Sequence, residues 1–277
     1  MKKAGQTVKM LGKRDPLPAR WFRGTVKELS DQKFSVTIPD AELMRIGHIA
    51  PSQANVMFTR EEFRIIKRRL LAPIREGKSP DGRSARVILV TSARPSEGKT
   101  FLATNLALSL AMEPGMNVVL VDGDIGEATL TQRSNLVSAT GLMDALVDET
   151  VNLSDLVWDT NVPNLGIVCA GPNRPNAVEY LGSERMKQVI ENLLRRSNDQ
   201  VIVIDSSAVL STSIAVALAM HAGQVLFVVA RNETRRSEIE DSLNVLDDVI
   251  GPLEDANIGL VLNKISPAQS VARYSAT

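Results

Sequence analysis

From residue 86 onward, short unbroken apolar runs alternate with segments of helical periodicity. Five of these runs are rich in β-branched residues and lack polar alternation, which is typical of strands buried on both faces of a sheet. They cover residues 87–90, 118–121, 201–204, 225–229 and 258–262. Helical spacing lies between them, at residues 101–112, 185–196, 214–220 and 237–250. The pattern predicts an α/β fold with a doubly wound, mostly parallel sheet and a site at the carboxyl ends of its strands.

The first part of the chain has a different pattern. Residues 1–58 are polar and irregular, with more Lys and Arg than Asp and Glu, and predict a basic, largely irregular leader. Such a charge run is more often a solvated tail than a docking segment for an anionic surface, and both interpretations stay open. Within it, residues 34–38 alternate like a strand that Pro39 ends, and we expect this strand at a sheet edge.

An amphipathic helix is predicted from Thr59 to about residue 71. Acidic residues lie in its first turn and basic residues later, as the helix dipole favours. Its apolar face holds Phe63, Ile66 and Leu70, spaced by three and four. A linker rich in turn-forming residues follows. The chain is therefore divided into a leader (1–58), the helix and linker (59–83), the α/β domain (84–265) and a tail (266–277).

Composition narrows the choice of partners. Only 4% of the 277 residues are aromatic and two are Tyr, which excludes a stacking surface for single-stranded nucleic acid. Lys plus Arg and Asp plus Glu both number 32, so no net charge favours nucleic acid or a membrane. The one cysteine, Cys169, cannot form an internal disulfide and suits a reducing cytoplasm. No apolar stretch approaches the roughly 18 residues of a membrane helix, so we expect a soluble protein that reaches a membrane through a partner.

The segment at residues 90–100, Val-Thr-Ser-Ala-Arg-Pro-Ser-Glu-Gly-Lys-Thr, follows the first predicted strand of the domain and opens a helix. It matches a phosphate loop except that Ala93 stands where the general form has Gly. Backbone N–H groups at such a helix start cradle phosphates, Lys99 would reach the β and γ phosphates, and the Thr100 hydroxyl would hold Mg²⁺. A chance Gly-Lys-Thr is the alternative, and the strand–loop–helix context argues against it.

Carboxylates end two other predicted strands. Asp122 and Asp124 follow one apolar run, and Asp205 follows another. Carboxylates at the tip of a buried strand are costly unless they meet a cation or hydrogen-bond donors. A helix cap or a turn would explain either of the first two alone. Beside a phosphate loop, the set favours catalytic or Mg²⁺-associated roles, with Asp205 in the position of a Walker B carboxylate.

These motifs together resemble the bacterial tyrosine kinases of exopolysaccharide synthesis, which are related to the MinD and ParA ATPases. Further segments are similar to the branch linked to exosortase (PEP-CTERM) polysaccharide loci. They lie at residues 62–68, 104–107, 141–146, 223–225 and 261–264. The resemblance covers about residues 60 to 265.

The resemblance implies a P-loop ATPase fold, with ATP and Mg²⁺ as cofactors and a tyrosine autokinase activity that regulates exopolysaccharide synthesis. Lys99, Asp122, Asp124 and Asp205 would be catalytic, and either Asp122 or Asp124 would be the base for the tyrosine hydroxyl. Thr100, Asp122 and Asp205 would hold the metal. The nucleotide would contact Pro95, Ser96, Glu97, Gly98, Lys99, Thr100, Phe101 and Asn263. Tyr274 would be the phosphate acceptor, and Glu61, Arg64 and Lys67 would contact a neighbouring subunit of a homo-oligomer, unless that helix is simply solvated.

The implied partner is a membrane-embedded chain-length regulator of polysaccharide export, Wzz-like, which would recruit the protein to the inner face of the membrane. Three departures from the family pattern also keep a second function open, that of an ATP-binding switch without tyrosine phosphorylation. Residues 125–129 lack the usual Arg and Pro, Ser206-Ser207-Ala208 replace a proline-containing segment, and the tyrosine cluster is reduced to Tyr274. We expect the segment at 206–208 to be a loosely arranged loop. A ParA-like partitioning ATPase is less favoured, because the chain is neutral overall.

Overall fold

The computed structural model describes residues 7–9, 26–28, 34–36, 54–76, 83–137, 139–251 and 257–265. Ten strands of these residues form one sheet. They are β1 (Thr7–Lys9), β2 (Val26–Glu28), β3 (Phe34–Val36), β4 (Val87–Ser92), β5 (Asn117–Asp122), β6 (Trp158–Thr160), β7 (Leu165–Val168), β8 (Gln200–Ala208), β9 (Gln224–Ala230) and β10 (Ile258–Asn263). Their spatial order is β1-β10-β9-β4-β8-β5-β7-β6-β3-β2. All neighbouring pairs are parallel except β2 with β3 and β6 with β7, which confirms the predicted mostly parallel sheet.

Helices connect the strands and cover both faces of the sheet. They are α1 (Ala54–Glu76), α2 (Lys99–Ala111), α3 (Thr129–Arg133), α4 (Leu142–Val147), α5 (Ala177–Leu181), α6 (Glu184–Leu194), α7 (Ile214–Ala219) and α8 (Arg236–Ile250), with a short 3₁₀ turn at Leu153–Leu156. No helix within the described residues combines the length and the apolar character needed to cross a membrane.

The core is divided by the sheet into two apolar clusters. Ile88 and Val90 of β4 pack with α1 and α2 on one face. Val87 and Leu89 of the same strand pack with the helices from α4 to α8 on the other face. Because successive strand residues point to opposite faces, a strand covered on both sides needs an unbroken apolar run. The apolar runs in the sequence do not alternate because the sheet is covered by helices on both faces.

The first strands and helix depart from the predicted boundaries. The helix α1 begins at Ala54, inside the region predicted to be an irregular leader, and three short strands lie further upstream. The predicted edge position of the strand at residues 34–38 is wrong, because β3 pairs with β6 on one side and with β2 on the other. The prediction used only the proline that follows the strand, and a sequence pattern cannot reveal which strands are neighbours.

The helix α1 is packed against α2, the helix that follows the phosphate loop. Phe63 and Ile66 are buried, and the Phe63 ring meets the Phe101 ring edge to face, with centroids 6.5 Å apart. The Lys67 ammonium donates to the carbonyl oxygen of Ser109 at 3.3 Å and pairs with the Glu113 carboxylate. The predicted apolar face of this helix is therefore confirmed, and it packs against the α/β domain.

We expect Phe63→Ala to lower the free energy of unfolding by about 3 kcal/mol, because the truncation leaves a cavity between α1 and α2. Urea-induced unfolding measures this change. Arg68→Ala is the matched control, since Arg68 is exposed on the same helix. Equal unfolding midpoints for the wild type and Phe63→Ala would show that the contact does not stabilise the fold.

Candidate active site

The phosphate loop occupies residues 93–98, between the end of β4 and the start of α2. Gly98 caps the helix with φ +100°, a left-handed conformation that favours glycine. A Cβ atom at this position would also lie 2.0 Å from Nδ2 of Asn263. Both the backbone conformation and this close approach therefore require Gly98, whereas Ala93 is buried without a positive φ. The departure from the general motif at Ala93 thus leaves the loop intact.

Lys99 and Thr100 form the first residues of α2 and lie beside the strand-end carboxylates. Lys99 is 8% exposed, and its positive charge lowers the pKa of both Asp124 and Asp205. The Thr100 hydroxyl adjoins Asp205 and, like Lys99, opposes the rise in the pKa of that carboxyl. The structure therefore brings together the lysine, the hydroxyl and the carboxylates that the motifs predicted.

Asp205 lies on β8 in register with Asp122 on β5, the neighbouring strand. Its side chain is fully buried, and neither carboxylate oxygen has a hydrogen-bond partner among the described residues. Burial raises its pKa to about 8, and the nearby charge of Asp122 acts in the same direction. The Thr100 hydroxyl and the Lys99 charge offset this burial only in part, and a buried carboxylate so poorly compensated is unfavourable unless a metal ion meets it. Asp205 is therefore the strongest candidate for a metal ligand.

Asp122 has a different environment, in which donors satisfy one carboxylate oxygen. Its Oδ2 accepts from the backbone N–H of Thr131 at 2.7 Å and from the Thr131 hydroxyl at 2.8 Å. The Thr131 hydroxyl oxygen in turn accepts from the N–H of Ala170 at 2.8 Å. Burial raises the pKa of Asp122 to about 6, and the bonds from Thr131 oppose that rise. Asp122 therefore caps the start of α3, as the alternative interpretation required, and still faces Asp205.

Asp124 is half-buried and lies closest to solvent among the three carboxylates. Burial raises its pKa, while the positive charge of Lys99 and a hydrogen bond from the Glu127 backbone N–H lower it. The Glu127 carboxylate has a smaller effect and raises the pKa. The family pattern places a basic residue in this segment, so Glu127 makes the surroundings of Asp124 more acidic. A half-buried carboxylate with a raised pKa is suited to accepting a proton from a substrate hydroxyl.

The oxygen atoms of this site fit a magnesium ion. Mg²⁺ prefers hard oxygen ligands and is usually held by one or two protein side chains together with phosphate oxygens and water. Thr100 and Asp205 supply such oxygens, while one oxygen of Asp122 is already occupied by Thr131. Within the described residues, no group of three or more His, Cys, Asp or Glu could hold a metal alone. Any Mg²⁺ here would accordingly need the phosphates of a nucleotide.

Three of the residues predicted to contact the nucleotide have side chains that contact other parts of the protein. The carboxylate of Glu97 accepts from the backbone N–H of Arg94 and from the Thr234 hydroxyl. The ring of Phe101 packs on α1. The amide of Asn263 donates from Nδ2 to the carbonyl oxygen of Glu97 at 2.8 Å, while its Oδ1 accepts from the N–H of Lys264. The side chains of Glu97 and Phe101 therefore do not point to the nucleotide, and the adenine contact of Asn263 stays a prediction.

The segment at Ser206-Ser207-Ala208 is not a loose loop, and that prediction is wrong. All three residues are buried and end strand β8. The Ser206 hydroxyl donates to the carbonyl oxygen of Val90 at 3.0 Å, and the hydroxyls of Ser207 and Thr212 are 2.7 Å apart. Hydroxyl groups that satisfy their hydrogen bonds locally can extend a strand in place of prolines, which lack the N–H.

The remaining predicted residues lie at the periphery of the described structure. Tyr274 falls outside the described residues, and so do the contacts of the Glu61 side chain. Pro95 and Ser96 are exposed on the loop, and Arg64 is exposed on α1. Lys67 is engaged with Glu113 in its own chain. The subunit contact of this helix therefore stays a prediction.

Sequence reasoning missed Thr131 and Thr234. Thr131 follows Asp122 by nine residues, and Thr234 is far from the phosphate loop along the chain. No motif connects either threonine with its carboxylate partner. The one available signal concerns Thr234, which lies shortly before the helix predicted from residue 237, whereas the short helix α3 that holds Thr131 was not predicted.

Several known proteins are similar to this chain in sequence. A family model described as an AAA domain matches residues 85–255. The tyrosine-protein kinase CpsD of Streptococcus pneumoniae serotype 4 is 32% identical over 185 residues, which are 66% of this chain and 78% of CpsD. The succinoglycan biosynthesis transport protein ExoP of Rhizobium meliloti is 32% identical over 198 residues, which are 70% of this chain and 24% of ExoP.

Solved structures of other proteins are similar to this chain in fold. The tyrosine kinase domain of BceF matches with a TM-score of 0.63 and 29% identity, covering 82% of this chain and 87% of that domain. The septum site-determining protein MinD of Pyrococcus horikoshii, solved with Mg-ADP, matches with a TM-score of 0.50 and 23% identity, covering 67% of this chain and 76% of MinD. The second likeness shows a shared fold alone.

Proposed function

Because the chain belongs to the bacterial tyrosine kinases of exopolysaccharide synthesis, relatives of the MinD and ParA ATPases, we propose that it binds ATP at residues 93–100 and phosphorylates tyrosine. The observation that carries this proposal is the buried, unpartnered carboxylate of Asp205 beside Thr100 and Lys99. Such a carboxylate does not stabilise the fold, whereas a site for Mg²⁺ and nucleotide needs a carboxylate to hold the metal.

Within this proposal, each residue has a separate task. The loop amides and Lys99 stabilise negative charge on the transferring γ-phosphoryl group. Thr100 and Asp205 would hold Mg²⁺, which would supply positive charge to neutralise the phosphates of the nucleotide. Thr131 fixes the orientation of Asp122 through its two hydrogen bonds.

The base for the tyrosine hydroxyl is Asp124 in this proposal. Of the two candidates, Asp122 is completely buried and one of its oxygens is occupied by Thr131. Asp124 is half-buried and lies close enough to Lys99 to feel its charge. A substrate side chain can reach Asp124 from solvent, and a proton acceptor has to be reachable.

We further propose that Tyr274 in the tail is the phosphate acceptor and is presented to a neighbouring subunit. The activating partner would be a membrane-embedded chain-length regulator, which would place the kinase at the inner face of the membrane. Support comes from the relationship to ExoP, whose name describes a succinoglycan transport protein. Membership of the exosortase-linked branch rests on the motifs quoted above.

We expect Tyr274→Phe to remove most phosphotyrosine from protein incubated with Mg·ATP, since the other tyrosine, Tyr180, is partly buried at α5. Anti-phosphotyrosine blotting and mass spectrometry of the tail measure the signal. Tyr180→Phe is the matched control and should keep it. The assay is repeated with the membrane regulator's cytoplasmic segment added.

Two outcomes would change the proposal. A signal that survives Tyr274→Phe would place the acceptor elsewhere. If the wild type binds ATP but gives no phosphotyrosine even with the regulator segment, the second function holds, in which ATP binding switches an assembly state. The observation that favours this second function is the acidic Glu127 beside Asp124, where the family pattern has a basic residue.

A further inference from the structure

The phosphate loop contains a carboxylate that points away from the cradle. Glu97 is 3% exposed, although it immediately precedes Gly98 and Lys99. A negative charge inside a loop that binds phosphate is unfavourable unless donors hold it outside the cradle. The structure supplies two such donors, because Oε2 accepts from the N–H of Arg94 at 2.8 Å and Oε1 accepts from the Thr234 hydroxyl.

Thr234 lies in the connection between β9 and α8, on a different part of the chain. Its hydroxyl oxygen accepts from the N–H of Ala230 at 2.9 Å, and its own N–H donates to the Ala230 carbonyl oxygen at 3.0 Å. The Thr234 side chain is therefore fixed to the end of strand β9. A hydroxyl that is oriented in this way can donate its hydrogen in one direction, toward Glu97.

The backbone of the same loop residue is held from the next strand. The Glu97 carbonyl oxygen accepts from Nδ2 of Asn263, which ends strand β10. One residue of the loop is thus connected to the ends of β9 and β10 and, through Arg94, to the beginning of the loop. These contacts fix residues 94–97 without any contribution from a ligand.

We propose that Glu97 and Thr234 are positioning residues that hold the phosphate loop in its nucleotide-binding conformation before ATP arrives. A loop that is ordered in advance does not have to lose conformational freedom on binding, and its affinity is higher for that reason. The inference rests on the proposed function only for the identity of the ligand, a nucleoside triphosphate. Neither side chain touches the reacting atoms, so their effect falls on ATP binding more than on phosphoryl transfer.

The test compares Thr234→Val with Thr234→Ser. Val keeps the shape and removes the hydroxyl, whereas Ser keeps the hydroxyl. We expect Thr234→Val to weaken the affinity for a fluorescent ATP analogue and raise the KM for ATP by about tenfold, with kcat changed by less than about threefold. Thr234→Ser should stay near the wild-type values. Thr150→Val is the matched control, because the Thr150 hydroxyl also donates to a carboxylate, that of Asp148, in an exposed contact that does not involve the loop.

A double-mutant cycle separates a direct contact from general damage to the fold. Glu97→Ala should weaken binding at least as much as Thr234→Val, because it also removes the contact with the Arg94 N–H. The double variant should be no weaker than Glu97→Ala, because the Thr234 hydroxyl then has no carboxylate contact left to lose. The inference is overturned if Thr234→Val binds as tightly as the wild type, if Thr234→Ser loses as much as Thr234→Val, or if the two changes add. If Thr234→Val does not fold, Glu97→Ala compared with Thr234→Ser decides the question in the same way.

The binding measurement also keeps this inference distinct from the kinase proposal. Affinities that follow the expected pattern in a protein that never produces phosphotyrosine would support the positioning role and remove the kinase activity. If Thr234→Val and Glu97→Ala form phosphotyrosine and bind ATP as tightly as the wild type, the kinase proposal holds and the positioning role is overturned.

Discussion

Replacing Lys99 by Met is expected to lower phosphoryl transfer about 10³-fold or more, because Lys99 is the buried positive charge of the loop. The other cation of the loop, Arg94, is exposed and pairs with Glu238. Lys99 is nearly buried at the start of α2, and its charge acts on both Asp124 and Asp205. Met has a similar length and keeps the apolar part of the side chain in place. The rate of phosphotyrosine formation in saturating Mg·ATP, measured together with ATP hydrolysis, gives the size of the effect.

Lys187→Met is the matched control for this change. Lys187 lies on α6, is exposed and pairs with Glu184 one turn away, a contact worth little to the fold. Circular dichroism should show the same fold for both variants. Near-wild-type transfer by Lys99→Met would mean that the nucleotide is not bound at this loop.

Replacing Asp205 by Asn is expected to have two opposite effects. Phosphoryl transfer should fall about 10²-fold or more, because a neutral amide holds Mg²⁺ poorly. The nucleotide-free protein should become more stable by about 2 to 4 kcal/mol at pH 8.5, because a buried negative charge that Thr100 and Lys99 offset only in part is replaced by an uncharged group. A loss of activity together with a more stable fold is the result expected where a functional site keeps an energetically unfavourable charge.

The stability gain depends on pH with a definite sign. Burial raises the pKa of Asp205 to about 8 in the folded protein, whereas an Asp in an unfolded chain ionises near about pH 4. Between these values the folded state keeps a proton that the unfolded state has released, so this carboxyl makes the free energy of unfolding fall as pH rises. The difference between Asp205→Asn and the wild type should therefore grow from about pH 4 to about pH 8 and then level off.

Urea-induced unfolding of the nucleotide-free proteins at several pH values measures this difference. Asp199→Asn is the matched control, since Asp199 is exposed just before the same strand. A gap that is constant with pH, or a less stable Asp205→Asn protein at pH 8.5, would show that Asp205 is ionised and satisfied in the folded state.

Much of the fold could be predicted because buried parallel strands leave a direct trace in the sequence. The apolar runs within β4, β5, β8 and β9 do not alternate, since both faces of each strand are covered. The run within β10 is similar, although most of this strand is only partly buried. The strand β6 lacks such a run, because it has three residues and only Trp158 is buried among them. Its pairing with β7 is antiparallel and depends on long-range packing that a local pattern does not contain.

The sequence could predict those site residues that lie directly at a helix start or a strand end and act through their own side chains. Lys99, Thr100 and the carboxylates belong to that class. The role of Glu97 could not be predicted, because its orientation depends on Thr234, which lies 137 residues further along the chain. The same holds for the division of tasks between Asp122 and Asp124, which follows from the bonds that Thr131 donates.

The contact between α1 and α2 has a practical consequence for where the catalytic unit begins. A protein cut at residue 84, the boundary that the sequence pattern indicates, would lose the cover over Phe101 and the apolar side of α2. The freshly exposed surface would adjoin the start of the phosphate loop and would favour aggregation. A fragment designed to keep this packing should therefore begin at or before Ala54, so that the apolar face of α1 stays on α2.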